Sequence, residues 1–526
     1  MRRGFVAACL VLVACEPAVT PEPTPPTTDG PWRSALYPDD WQPGDVDEVG
    51  RGLPDVSYAG YGQGAEPPEV AGPVADAMDF GADPSGAQDS GPAIQAAIDS
   101  LPDGGVVALP AGSLRVDDRL VVSTDGLVLR GAGRGETRLW FTRVDGMSDR
   151  GHLQLAGAVT RGPDVPLLAD GEPEHREVVV VAGDLAVGDE VAVGWAITEA
   201  FRDEHGMTAT WADADGVWKP FFRREIVAID GDRVTLDAPL RYAARVRDGA
   251  SLRREAGYLH GVGVEDLSVS TVVDWDAAWS TTRTHAIRLQ DVADGWVRRV
   301  DSFESPGSSD ERGRHLLSGG IAVVGSKRVT VAEAELGPAQ NRGGGGAGYL
   351  FEISRSSEIL VRDSVGQGGR HNFIQNWDFG TSGCVFLRTT SRDGFLGLGD
   401  GDGLAGVGFS EFHHRLAMAN LIDDSRVDDG WQAVNRKAFS SGAGHSATGN
   451  VFWNLRGDGA IRSFQHGWGY VIGTAGPTAS VDLSEGGLFG DADGTEPVDW
   501  LEGADAGERL EPRSLYEDQR ARRLAR

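Results

Sequence analysis

The chain has 526 residues, of which 40% are hydrophobic and 74 are glycine, so it can bury a large core and turn often. Its 49 basic and 79 acidic side chains give a net charge of −30, which argues against nucleic acid or an anionic membrane face as partner. A polyanionic ligand therefore requires a local basic groove or a bridging cation.

The first fifteen residues predict export. Arg2 and Arg3 precede an apolar run from Phe5 to Val13, and small residues lead to Cys15. This order resembles bacterial lipoproteins, which implies cleavage before Cys15 and lipidation of that residue. Since Glu16 is not the Asp that favours inner-membrane retention, we expect a lipoprotein of the outer membrane or cell surface. Its contact with the membrane is then the lipid alone.

The segments that flank the main fold have distinct compositions. Residues 16–31 are rich in Pro and Thr and predict an extended tether, and residues 32–74 predict an irregular aromatic segment packed on the core. Residues 477–526 contain a predicted short helix near Pro512, which we expect to close the far end of the fold. Because Cys9 leaves with the signal and Cys15 carries lipid, Cys384 is alone and no intrachain disulfide is predicted.

One unit is repeated about eight times between Tyr258 and Thr474. Each copy has two apolar, alternating runs separated by a polar turn, and the copies recur every 20 to 36 residues. The second runs begin at Val264, Val297, Val329, Leu360, Val385, Leu421, Val451 and Val471. Such strands without intervening helical periodicity predict a parallel β-helix, in which equivalent residues of successive coils stack about 4.8 Å apart.

A series of motifs precedes the repeats. In chain order they are Phe80-Gly-Ala82, the apolar helix at 93–99, the strand and turn at 104–112, and the strand at 128–133. Together they resemble the N-terminal entry of the pectate lyase superfamily, the right-handed parallel β-helix group of polysaccharide lyases and glycoside hydrolases. The resemblance implies an all-β, right-handed parallel β-helix over residues 75–476, with the helix closing its first coil. It leaves the reaction open, because lyases, hydrolases, epimerases and phage tail adhesins share this entry.

The repeat is interrupted between Val178 and Leu252, which predicts an inserted antiparallel β module at about 178–252. Its longest loop runs from Phe201 to Trp218 and holds Trp211 and Trp218. These tryptophans form either a sugar-stacking wall beside a carbohydrate groove or a hydrophobic anchor for the loop.

Candidate site residues concentrate after Gly369. Arg370, His371, Asn376 and Asp378 fall within ten residues. The next two coils add four more, namely His414, Arg436, Lys437 and His445. If the coils stack in register, these side chains lie within roughly 10 to 15 Å on one face. For His260, His285, His315 and His466 we favour a structural role in the turns.

These residue types favour a polysaccharide as substrate and a lyase as the reaction class. β-Elimination next to a uronate carboxylate needs a cation that neutralises the carboxylate and a base that takes the C5 proton. We predict His371 or His414 as the proton-transfer group and Arg370 as the neutralising one. Further catalytic candidates are Lys437 and His445; substrate-binding candidates are Asn376, Asp378, Arg436, Trp211 and Trp218.

Two alternatives remain open. A glycoside hydrolase needs two carboxylates, about 5 to 5.5 Å apart for retention or 6.5 to 9.5 Å for inversion. The sequence offers several without choosing a pair, namely Asp378, Asp400, Asp402, Glu411, Asp423, Asp424, Asp428 and Asp429. If the histidine site is wrong, Asp378, Asp423 and Asp428 are the next candidates. A non-catalytic glycan-binding or adhesive surface protein also fits a lipid tether. The motifs of polygalacturonases and of calcium-dependent pectate lyases are missing from the sequence, so pectin is not implied. We expect a monomer.

The sequence predicts no metal site and no cofactor, since no cysteine or histidine pair has zinc spacing. Calcium is an alternative at Asp491, Asp493 and Glu502, although Glu496 stands where a calcium loop turns on glycine. The run Asp400-Gly-Asp402-Gly is more simply a turn.

Overall fold

The computed structural model describes residues 30–306, 313–340, 343, 346–398, 403–481 and 497–526, without the side chains of Trp275, Leu398 and 403–405. Cys15, the predicted signal and most of the predicted tether lie outside this part of the chain. So do Asp400, Asp402, Asp491 and Asp493, the carboxylates considered for calcium. No helix in the described ranges is both long and apolar enough to cross a membrane.

The predicted parallel β-helix is confirmed, because three stacks of parallel strands run along one axis. We name the largest the bent sheet. Its first row contains Val74–Asp76, Gly105–Ala108, Leu127–Arg130, Gly263–Thr271, Trp296–Ser302, Thr330–Leu336, Leu360–Arg362, Val385–Leu387, Leu421–Asp423, Val451–Arg456, Tyr470–Ala475 and Trp500–Glu502. Its second row contains Ser85–Asp89, Gly112–Val116, Thr137–Phe141, Val365–Gln367, Thr390–Arg392 and Arg426–Val427.

The second stack is a ten-stranded sheet that positions the candidate site. In spatial order its strands are Leu120–Val122, Gly151–Ala156, His285–Gln290, Gly319–Val324, Tyr349–Ser354, His371–Gln375, Ser410–Phe412, Trp431–Ala433, Ala460–Ser463 and Thr478–Ser480. The third stack is narrow. It pairs Leu259–His260 with Val292–Ala293 and Ala417–Met418 with Ala447–Thr448, and single bridges through Lys327, Ser357 and Ser382 connect these pairs.

The bent sheet turns at a non-glycine residue with left-handed backbone in each of seven coils. These residues are Asp266, Arg299, Glu333, Asp363, Arg388, Asp424 and Asn454, with φ between 45° and 59°. Left-handed backbone is strained for most side chains. Neighbouring coils compensate with ion pairs, such as Arg299 with Asp266 and Arg388 with Asp363, each at 2.6 Å. The second run of each repeat thus bends at a ladder of mostly charged residues along the axis.

The interior of the solenoid is one apolar core, and the helix Gly91–Asp99 covers its first coil. Ile94, Ala97 and Ile98 are at most 2% exposed and join this core with Leu114 and Leu120. The remaining α-helices are Glu199–Glu204, Trp275–Ser280, Phe439–Gly442 and Leu515–Ala525. Short 3₁₀ turns occur at Tyr61–Gln63, Ala77–Phe80, Ala212–Ala214, Val246–Asp248 and Gly507–Arg509. A hairpin pairs Phe395–Leu398 with Gly403–Val407.

The interruption of the repeat is a six-stranded antiparallel sheet, which we name the module. Its strands, in spatial order, are Glu177–Val179, Arg233–Leu236, Trp218–Asp230, Glu190–Ala196, Ser251–Ala256 and Thr160–Pro166. The sheet begins before the predicted start at residue 178, because Thr160–Pro166 pairs with Ser251–Ala256 at its edge. The module has its own apolar core, in which Trp195 stacks on Phe221 with 3.6 Å between ring centres.

The C-terminal helix does not lie across the far end of the solenoid, so that prediction is wrong. Leu515 and Tyr516 pack with Tyr37 and Trp41 of the N-terminal segment on the outer side of the bent sheet. That side carries apolar side chains of four strands, Leu360, Val385, Leu421 and Val451, which need a cover. The two terminal segments together supply it.

Candidate active site

Two adjoining cavities open over the ten-stranded sheet. The first, of about 280 Å³, is lined by Thr282, Arg283, Gly346, Tyr349, Arg370, Asn376, Trp377, His413, Ser440 and Ser441. The second, of about 160 Å³, is lined by Asp149, Arg283, His285, Arg288, Val324, Glu352, Ser354, Arg355 and Trp377. Because Arg283 and Trp377 line both, we treat the two as one groove. Parallel pairing brings Tyr349 opposite His371 on neighbouring strands at its centre.

Glu411 is the centre of a buried polar cluster beneath the first cavity. It is fully buried, and its Oε2 accepts hydrogen bonds from Gln432 and, at 2.7 Å, from Nη1 of Arg436. Its Oε1 accepts from Nδ1 of His413 and lies 3.1 Å from Nε2 of His371. Burial opposes ionisation, but the Arg436 guanidinium and the hydrogen bond from His413 hold the pKa of Glu411 well below its ordinary value. The cluster therefore contains a carboxylate anion.

His413 connects this cluster to the cavity. Burial lowers the pKa of His413 to about 3, so the ring is neutral near pH 7. Since Nδ1 donates to Glu411, the neutral ring carries its lone pair on Nε2. No described residue forms a hydrogen bond with Nε2, and the ring lines the first cavity. His413 can therefore accept a proton from a molecule bound there.

Tyr349 and two arginines complete the first cavity. The Tyr349 ring centre is 6.5 Å from that of His413, and burial raises the pKa of the Tyr349 phenol, so the hydroxyl keeps its proton. Arg370 lies over the same ring at 5.9 Å, and its Nη1 donates to the Gly343 carbonyl at 2.8 Å. Its Nε is buried and has no hydrogen-bond partner in the described part of the chain. The cavity thus combines a base, an acid and the cations Arg283 and Arg370.

Several predicted site residues come together here. Arg370 and Asn376 line the first cavity, and Asn376 also donates to Glu352 at 3.2 Å. His371 lies in the cluster below, its Nδ1 2.5 Å from the Phe409 carbonyl oxygen. Arg436 is buried against Glu411 and does not line either cavity. Its role is to hold the carboxylate rather than to contact a ligand.

Other predicted residues point elsewhere. His414 accepts from the Asp378 amide at Nδ1 and donates from Nε2 to the Ser440 carbonyl, so both ring nitrogens are used. Asp378 pairs with Lys219 at 2.5 Å and ties the groove to the module. His445 packs against His466, with 4.9 Å between ring centres. Lys437 is half-buried and is not a lining residue of the groove.

The sugar-stacking wall predicted for the module loop is wrong. Trp211 is fully buried in the module core, and its Nε1 donates to the Ala443 carbonyl at 3.3 Å. Trp218 donates to Ser251 at 2.9 Å and lies under Arg253, away from the residues that line the groove. Because Trp211 fills the apolar core of the module, its ring is not available to stack on a sugar. The loop is anchored, which was the alternative interpretation.

Asp423 and Asp428, which were candidates for a hydrolase, do not line the groove either. Asp423 lies on the bent sheet and accepts hydrogen bonds from Ser514, Leu515 and Tyr516 at the start of the C-terminal helix. Asp428 forms an ion pair with Arg426 at 2.8 Å. Both carboxylates stabilise structure.

Groove residues that were not predicted from the sequence include Arg283, Arg288, Tyr349, Arg355, Trp377 and His413. For His413 a signal existed: Glu411 and His413 are two residues apart at the end of a strand, and alternate residues of a strand share a face. Arg283 precedes the strand His285–Gln290, and it reaches the groove only because that coil stacks beside the coils that carry Tyr349 and His371.

Comparison with known proteins gives the fold group. Residues 74–148 match the family described as rhamnogalacturonase A/epimerase, pectate lyase-like. The three stacks of parallel strands make the chain a parallel β-helix protein, and its N-terminal part is similar to the pectate-lyase-like family. A 72-residue segment is 50% identical to mannuronan C5-epimerase AlgE3 of Azotobacter vinelandii, covering 12% of this chain and 4% of that relative.

Two solved structures align with this chain over most of its length. The A-module of mannuronan C-5 epimerase AlgE4 from Azotobacter vinelandii is 14% identical, with 77% of this chain and 95% of that chain covered and a TM-score of 0.30. The tailspike gp49 of Pseudomonas phage LKA1 is 12% identical, with coverage of 77% and 76% and a TM-score of 0.38. No groove residue falls within the matched segment 74–148, so the groove's own chemistry must carry any functional argument.

Proposed function

We propose that the protein is a carbohydrate-active enzyme that cleaves a uronate-containing polysaccharide by β-elimination. The observation that carries this proposal is the first cavity, where neutral His413, protonated Tyr349 and the cations Arg283 and Arg370 meet. The proposal includes the surface location predicted from residues 1–15, because a polymeric glycan is met outside the cell.

The charge distribution supports an acidic substrate. The whole chain carries a net charge of −30, yet four arginines line the groove: Arg283, Arg288, Arg355 and Arg370. Asp149 pairs with Arg283, and Glu352 lies 2.9 Å from His285. The remaining cations are suited to sugar carboxylates, and a neutral glycan would not need them.

The reaction follows from the positions of these groups. Arg370 pairs with the substrate carboxylate and stabilises the charge that develops when the C5–H bond breaks. His413 takes the C5 proton on Nε2, and Glu411 stabilises the imidazolium that forms. The electron pair forms a double bond between C4 and C5, the C4–O bond breaks, and Tyr349 donates its proton to the leaving glycosidic oxygen. The products are a fragment with an unsaturated uronate at its new non-reducing end and a fragment with a new reducing end.

A glycoside hydrolase is supported less well. That reaction uses two carboxylates on either side of the scissile bond. Among the described residues that line the first cavity, none carries a carboxylate. In the second cavity, Asp149 pairs with Arg283, and Glu352 is already engaged by Ser354, Asn376 and His285.

The proposal is tested with a panel of acidic and neutral polysaccharides, read by ultraviolet absorbance of the unsaturated product and by a reducing-end assay. We expect activity on a uronate polymer and a 10²- to 10⁴-fold fall in kcat for His413→Gln and for Tyr349→Phe. His175→Gln, which changes an exposed histidine of the module, serves as the control and keeps full activity.

Three outcomes would contradict the proposal. New reducing ends without unsaturated product identify a hydrolase, and inverted C5 stereochemistry without cleavage, seen by NMR, identifies an epimerase. Full activity of both folded variants would remove His413 and Tyr349 from the reaction.

A further inference from the structure

We infer that His371, Glu411 and His413 form a binding site for a divalent transition metal ion of the zinc class. One ligand atom from each residue lies within 4.8 Å of the others, and all three residues are buried. Two imidazole nitrogens and one carboxylate oxygen are a ligand set that suits zinc, cobalt, nickel or iron, whereas calcium and magnesium prefer oxygen alone.

The orientation of His371 is the independent observation. Its Nδ1 lies 2.5 Å from the Phe409 carbonyl oxygen, which can only accept, so Nδ1 carries the hydrogen. In the neutral ring Nε2 then has a lone pair, and it faces Oε1 of Glu411 at 3.1 Å. Nε2 is buried and has no hydrogen-bond partner among the described residues. Two electron-rich atoms at this distance repel each other unless a cation lies between them.

Hydrogen bonds with neighbouring groups hold Glu411 and His371 in place, as hydrogen bonds to metal ligands do in metalloproteins. Oε2 of Glu411 is occupied by Arg436 and Gln432, so Oε1 is the oxygen that faces both histidines. The Phe409 carbonyl fixes the tautomer and orientation of His371. Carbonyl partners of ligating histidines and hydrogen bonds to ligating carboxylates are typical of such sites.

Coil stacking explains why spacing along the sequence did not predict this site. Glu411 and His413 share one face at the end of the strand Ser410–Phe412, and His371 starts the neighbouring strand. The three ligands therefore converge only when two coils lie in register.

Metal binding has a consequence that rests on the proposed function. Coordination by Nδ1 of His413 displaces the hydrogen that this nitrogen donates to Glu411. The neutral ring then carries its hydrogen on Nε2, which can no longer take the C5 proton. The metal ion is thus an inhibitor of the proposed elimination.

The site is tested without substrate. Chelator-treated full-length protein is titrated with Co²⁺, followed by visible absorption, and with Zn²⁺, followed by calorimetry. We expect one ion per chain, and an affinity at least about 100-fold lower in His371→Ala and in His413→Ala, beyond the 10- to 100-fold cost typical of an outer-shell change. His414→Ala, which removes the adjacent histidine, is the matched control and keeps the wild-type affinity.

Equal affinity of the wild-type protein and folded His371→Ala would overturn the site. The absence of any Co²⁺ signal would also overturn it, because a proton shared between His371 and Glu411 then explains their short distance. If the variants do not fold, X-ray absorption of the zinc-loaded wild-type protein decides. Two imidazoles in the shell support the site, and a shell of oxygen atoms alone overturns it. A metal that binds but leaves glycan cleavage unchanged refutes His413 as the base while the metal site stands.

Discussion

The guanidinium carbon of Arg283 lies 5.0 Å from the centre of the Trp377 ring, at the junction of the two cavities. The indole is 37% exposed, whereas Tyr349, Asn376 and His413 of the same groove are buried. An exposed aromatic face beside a cation is suited to a sugar ring that carries a carboxylate. Trp377 therefore stands where a glycan passes from one cavity to the other.

Replacing Trp377 by Ala is expected to raise KM for the glycan about tenfold, which corresponds to about 1.4 kcal/mol, with little change in kcat. The reason is that the ring holds the substrate equally in the ground state and the transition state. Steady-state kinetics on the substrate identified by the panel measure this effect. Trp377→Phe keeps an aromatic face and should retain most of the affinity; a fall in kcat with constant KM would argue against a platform.

Trp211→Ala is expected to destabilise the protein by about 3–5 kcal/mol, because a fully buried indole leaves a cavity in the module core. Trp218→Ala should cost about 1–2 kcal/mol, since it loses one hydrogen bond to Ser251 and its contact with Arg253. Chemical denaturation measures both values. A raised KM in Trp211→Ala with unchanged stability would restore the sugar-binding interpretation of this loop.

Acid is expected to destabilise the contact between the module and the last coils. His205, His466 and His445 form a row there, with ring centres 4.3 and 4.9 Å apart, and burial lowers their pKa values to about 3, 4 and 3. The unfolded chain binds protons near pH 6.5 that the folded chain does not. The free energy of unfolding therefore falls as pH drops from about 6.5 towards 4, by up to about 1.4 kcal/mol per pH unit for each histidine.

Urea denaturation across this pH range measures the slope for the wild-type protein and for the double variant His445→Gln, His466→Gln. The variant should show a shallower dependence, while His175→Gln, an exposed histidine, leaves the slope unchanged. Identical slopes for the wild-type protein and the double variant would show that the row does not resist protonation.

Asp423→Ala is expected to loosen the C-terminal helix. The buried carboxylate accepts from Ser514 Oγ at 2.7 Å and from the amides of Leu515 and Tyr516 at 3.2 and 2.9 Å. Leaving buried donors without an acceptor costs about 1–3 kcal/mol for each group. Limited proteolysis followed by mass spectrometry should show earlier cleavage near residue 514. Asp428→Ala, whose ion pair with Arg426 is partly exposed, should leave the cleavage pattern intact.

The architecture was predictable because the β-helix repeats a local pattern. Each coil carries its own alternation of apolar residues, so the periodic positions from Val264 to Val471 already specify parallel strands and a shared core. The entry helix was predictable for the same reason, since Ile94, Ala97 and Ile98 form one apolar stripe. Arg370, His371 and Asn376 were found because they sit in one short segment that enters the groove.

Tertiary structure alone decided which of two adjacent histidines faces the groove. The strand ends at Phe412, so His413 continues its alternation beside Glu411, while His414 turns away to Ser440 and Asp378. The burial of Trp211 depended on its packing against residues distant in sequence, such as Phe379 and Leu416, so the local sequence could not predict it. The pairing of His371 with Glu411 depended on the register between coils, in which Ile374 pairs with Glu411 and Gln375 with Phe412. Local alternation therefore determined the scaffold, and the stacking of one coil on the next created the site.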